Sequence, residues 1–87
     1  MNDAAAQMLT KLATEFAVER GYQIMGDCNH EGIDPETGRP YALLQLKLNT
    51  PFRNAHVVWG EFLEVHLDLI LHHQEVDGMS ICYLGTF

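Results

Sequence analysis

The chain has 87 residues, 47% of them hydrophobic, and a formal charge of −7 from twelve acidic and five basic residues. That length suits one α+β domain over residues 1–87 rather than two, and the negative field repels phosphate backbones, so DNA or RNA binding is not expected. No apolar run approaches the roughly 18 residues of a membrane span, and Met1-Asn2-Asp3 lacks a basic leader region, so a cytoplasmic protein without membrane contact is expected. Cys28 and Cys82 make no disulfide framework in such a setting and read as reduced thiols.

From Asp3 to about Arg20 the pattern is that of an amphipathic helix. Ala5, Met8, Leu9, Leu12, Ala13, Phe16 and Ala17 recur at three- and four-residue steps and form one apolar face. Asn2 or Asp3 can cap its start, and Gly21 suits the left-handed residue that ends a helix. Two runs then read as a hairpin. The first is Tyr22 to Met25; the second is Tyr41 to Leu48, where Leu44, Leu46 and Leu48 alternate with Gln45 and Lys47. Asp34 to Pro40 between them is dense in turn chemistry, while Gly26 to His30 leave the end of the first strand open.

The segment from Asn54 to Val76 satisfies two periods at once. As a strand, it sets Leu63, Val65, Leu67, Leu69 and Leu71 opposite Glu64, His66, Asp68 and His72, with Ile70 the exception. As a helix, it gathers Phe52, Ala55, Trp59, Phe62, Leu63, Leu69 and Ile70 on one face, started by Thr50-Pro51 and stopped by Gly78. Register favours the strand. Val76-Asp77-Gly78 suits a three-residue hairpin loop that would pair Leu71 with Tyr83, Leu69 with Gly85 and Leu67 with Phe87. Gly60 points the same way, because glycine costs a helix interior roughly 1 kcal/mol and can bend a strand. The expected fold is α+β, an N-terminal amphipathic helix packed on a four- or five-stranded antiparallel meander; helix–strand–strand–helix–strand is the alternative.

In the strand reading His66, Asp68 and His72 leave one face of the sheet, and Cys82 sits across from His72. His66, His72 and Cys82 are therefore the candidate metal ligands, although none of the strong zinc spacings is present and the wet face of a sheet would look the same. Cys82 beside His72, and Cys28 near His30, resemble activated thiols, but no glycine-rich oxyanion turn accompanies either. His66 with Asp68 is a general-base pattern without a pocket. There is no phosphate loop or dinucleotide fingerprint, and no cofactor is expected. Trp59 reads as core; otherwise it joins Ile70 and Leu84 in an interface.

Charge is uneven along the chain. Arg53 is the last basic residue, and His56, His66, His72 and His73 lie beyond it among Glu61, Glu64, Asp68, Glu75 and Asp77. A histidine-dependent change in stability or assembly near neutrality is expected from that mixture. Taken together, the residues point to a small acidic intracellular binding domain without catalytic activity, self-associating or seated on a protein partner. The alternatives are a small-molecule or metal-binding domain, possibly an enzyme, that uses the His and Cys residues, and an acidic inhibitor that mimics nucleic acid.

Overall fold

The computed structural model describes residues 2–87. Its first element is the amphipathic helix α1 (Asp3–Glu19). Asn2 is the N-cap, its Oδ1 accepting from the Ala5 N–H at 3.2 Å, and Gly21 follows the helix with φ 85°. Leu9, Ala13, Phe16 and Ala17 are buried as the periodicity requires.

Two antiparallel strands follow, β1 (Ile24–Ile33) and β2 (Pro40–Leu48). β1 runs straight through Cys28-Asn29-His30. The turn between the strands is closed by Asp34, whose N–H donates to the Arg39 carbonyl at 2.9 Å and whose carboxylate accepts from the Glu36 N–H at 2.8 Å.

Residues 52–77 are helical, which overturns the antiparallel meander. α2 (Phe52–Val65) and α3 (Leu67–Asp77) meet at His66, and β3 (Met79–Gly85) then pairs with β2 in parallel. Among the described residues the sheet has three strands in the order β1-β2-β3, so the fold is α+β in the alternative order, with the second helix split in two. The expected pairs Leu71–Tyr83, Leu69–Gly85 and Leu67–Phe87 do not form; Tyr83 lies beside Leu46 and Gly85 beside Leu48.

The physical reason lies in the spacing. Leu63, Leu67 and Leu71 are four residues apart, and a four-residue step is both two strand repeats and about one helical turn. A parallel neighbour also demands a long crossover, which a helix normally supplies. Gly78, at φ 63°, ends α3 in the left-handed region, and a Cβ there would strike the Pro40 carbonyl oxygen. Gly85 lets the end of β3 approach the start of α2: a Cβ there would sit 2.5 Å from the Phe52 nitrogen.

One core joins the helices to the sheet. Leu44, Leu46, Leu48, Met79, Ile81 and Tyr83 from the strands meet Leu9, Phe16, Ala55, Val58, Phe62 and Ile70. Phe62 stacks edge-on to both Phe16 (5.3 Å) and Tyr83 (5.8 Å). The Tyr83 hydroxyl donates to the Ala13 carbonyl at 2.6 Å, and Trp59 Nε1 donates to the Ile81 carbonyl at 2.8 Å. Among the described residues, no helix is long and apolar enough to cross a membrane.

Candidate interaction surface

All three helices pack against the same face of the sheet, because the core-facing strand residues belong to a single cluster with them. Side chains alternate along a strand, and paired residues point the same way, so the register defines the opposite face. It consists of cross-strand rows. His30 lies beside Leu43 and Leu43 beside Ser80; Cys28 beside Gln45 and Gln45 beside Cys82; Gly26 beside Lys47 and Lys47 beside Leu84. A further pair, Gly32 and Tyr41, ends the set, with the tyrosine ring so close over the glycine that a Cβ would lie 2.6 Å from its hydroxyl. Among the described residues, no helix covers these rows.

Charge divides between the faces. None of the strand residues on the uncovered face is acidic. Asp27 and Glu31 of β1 alternate onto the helical side, beside α1 and the end of α3 respectively. Glu61, Glu64, Asp68 and Glu75 are exposed on α2 and α3. Among the described residues, Lys47 and His30 are the only bases on the strands of the uncovered face, and Leu43, Cys82 and Leu84 are half-buried there. Burial pushes the Cys82 thiol above its ordinary value, with a hydrogen bond to Gln45 acting in the opposite sense. Cys28 Sγ lies 3.6 Å from His30 Nε2.

The candidate metal ligands occupy three separate places. His66 sits at the α2–α3 junction with its ring 5.1 Å from that of Phe62, His72 is exposed on α3, and Cys82 lies on the uncovered sheet face. The strand register that gathered them does not exist. Among the described residues, no group of three or more His, Cys, Asp or Glu side chains is arranged to hold a metal ion. The Cys82–His72 thiol pair and the His66–Asp68 pattern rested on the same strand. Of the candidate interface residues, Ile70 is buried, Trp59 packs against the core, and Leu84 stands on the uncovered face.

One pairing escaped the strand reading. His73 Nδ1 donates to Asp77 Oδ2 at 2.7 Å, an i to i+4 pair on α3, and Asn2 Nδ2 donates to Asp77 Oδ1 at 3.2 Å. Those hydrogen bonds, that from His73 foremost, hold the Asp77 carboxyl below its ordinary value of 3.8. They also tie the start of α1 to the end of α3.

No protein-family model matches this chain, and comparisons with curated proteins and with solved structures return no match.

Proposed function

We propose that this chain is a small protein-binding domain that self-associates by packing the uncovered sheet faces of two copies back to back. The observation that carries this reading is the segregation of charge: a chain of −7 has one sheet face whose strands bear no carboxylate. Two copies approaching through α2 and α3 would bring Glu64, Asp68 and Glu75 together, and like charges there oppose contact. Approach through the sheets meets no such repulsion. Sheets pack face to face about 10 Å apart, and Leu43, Cys82, Leu84 and Tyr41 would interdigitate there with their two-fold mates.

Size sets the strength of such a contact. Seven residue pairs join β2 and β3. At about 3.3 Å per residue and about 4.8 Å per strand, the face has a flat footprint of roughly 330 Å². That is small beside the roughly 800 Å² per partner of standard interfaces, so the dimer is a weak one that forms and dissociates with concentration. Sedimentation velocity over a wide concentration series tests this. The weight-average mass should climb from the 9.8 kDa of one chain toward twice that value. Leu43→Glu, which places a carboxylate at the centre of the face, should hold it at one chain. A wild-type protein that stays monomeric at millimolar concentration overturns the reading.

A further inference from the structure

Beside the last residues of β3, the first turns of α2 bound a cleft of about 530 Å³, lined by Phe52, Arg53, His56, Val57, Tyr83 and Leu84 and floored by Gly85. It is an open groove, and its largely apolar walls with a few polar groups are of the kind that line small-molecule sites. Its charge separates it from four other clefts among the described residues. Of the four others described, one has Asp34, Glu75 and Asp77 on its wall, another Glu31 and Asp77, another Asp3 and Asp27, and the last Glu64 and Asp68. This one has no carboxylate and two bases.

Among the described residues Arg53 has no carboxylate within ion-pairing distance. The first turn of α2 contains no acidic residue and Pro51 supplies no side-chain cap; the Phe52 N–H is instead met by a main-chain oxygen of Phe87 at 2.9 Å. A cation in a helix's first turn is disfavoured by the macrodipole, so Arg53 stands where local helix stability would not put it. The His56 ring is steadied edge-on against Trp59 at 5.6 Å. Phe52 is 65% exposed and Val57 57% exposed, leaving apolar surface directly beside the two bases.

We propose that this cleft binds an amphipathic monocarboxylate of small-molecule size, its apolar body along Phe52, Val57 and Leu84 and its head on Arg53 and His56. Arginine presents paired donors that match a carboxylate, and the net charge of −7 penalises each further negative charge on a ligand. The assignment goes beyond self-association. Only Leu84 borders both surfaces, so the variants that test the cleft lie off the sheet face.

The experiment is an amide-resolved NMR titration with sodium octanoate, with 1-octanol as the uncharged probe, both below their aggregation limits. Octanoate should produce saturable shifts confined to residues 52–57 and 83–85, and octanol should bind about tenfold more weakly, the loss expected for one charge-assisted hydrogen bond. Arg53→Gln should bring the two probes to equal affinity, and Val57→Asp should weaken both while leaving the remaining spectrum folded. Shifts that never saturate, that centre on Leu43 and Cys82, or that keep the octanoate preference in Arg53→Gln overturn the proposal. So does a shift of these same amides with protein concentration alone, which would give the cleft to a second copy.

Discussion

Alanine at Gly60 and at Gly78 should change stability in opposite directions, and the pair tests whether the chain from Phe52 to Asp77 is helical. Gly60 lies inside α2, where a Cβ would meet no atom within 4 Å. Alanine there removes the backbone entropy cost of glycine, about 1 kcal/mol, without a clash. For a domain of this size, that gain raises the melting temperature by roughly 4–8 °C. Gly78 has φ 63°. An L-residue in that conformation costs roughly 1–2 kcal/mol before any contact is counted. The new Cβ would also press on the Pro40 carbonyl, and a shift there disturbs the 2.9 Å hydrogen bond from the Ala42 N–H to the Gly78 carbonyl. The expected loss is therefore about 2 kcal/mol or more. Urea unfolding followed by far-ultraviolet circular dichroism, at one fixed protein concentration, measures both. A destabilised Gly60→Ala, or a Gly78→Ala protein as stable as wild type, would refute the helical account of this segment.

Further expectations follow from single side chains. Tyr83→Phe should cost about 1 kcal/mol in the same assay, because the buried hydroxyl that donates to the Ala13 carbonyl is lost. Burial holds the Tyr83 phenol well above its ordinary value, against the smaller opposing pull of Arg20, so an alkaline spectroscopic titration should show one of the three tyrosines resisting ionisation until the protein unfolds. Asp77 has a lowered folded pKa, so its stabilising contribution is whole above the ordinary value of 3.8 and is lost as pH falls below it through the folded value. Asp77→Asn should thus lose less stability than wild type between pH 5 and pH 2, measured by urea midpoints. With Cys28 replaced by serine, Cys82 should alkylate more slowly at pH 8 than a free thiol, since burial disfavours its thiolate; equal rates would contradict that placement.

The parts of the fold that were legible in the sequence are those in which only one period fits. α1 shows it best: its apolar stripe, its Asn2 cap and Gly21 at its end all recur in the structure, and only Met8 of the predicted face is substantially exposed. The alternation in β2 was equally plain, because Leu44, Leu46 and Leu48 face a covered side and Gln45 and Lys47 an open one. The segment after Pro51 misled through its leucines. Leu67 and Leu71 are about half-exposed on α3, so they were neither core helix positions nor strand positions, and their alternation with Asp68 and His72 carried no burial signal. The covered positions keep three- and four-residue steps through the helix break, from Ala55, Val58 and Phe62 by way of His66 to Ile70, His73 and Asp77, but His66, His73 and Asp77 are polar, so the helical face lacked an apolar stripe in its second half.

The candidate site was legible only in fragments. Leu84 stood among the expected interface residues and Cys82 among the expected metal ligands, and both lie on the uncovered face. That Asp27 and Glu31 turn away from Lys47 and His30 follows from the β1–β2 register, and that register depends on strand ends which the run from Gly26 to His30 left open. The base-lined cleft could not be seen at all, because it requires β3 to lie parallel to β2 and so to end against the first turn of α2.

The central claim, that the acid-free sheet face is where this chain meets its copy, is tested most directly by isotope-filtered NOE spectroscopy on a mixture of labelled and unlabelled protein. Cross-peaks between protomers should arise from the methyl groups of Leu43 and Leu84 and from the Tyr41 ring. Intermolecular cross-peaks arising instead from Val65, Leu67 or Leu71 on the helical side would contradict it.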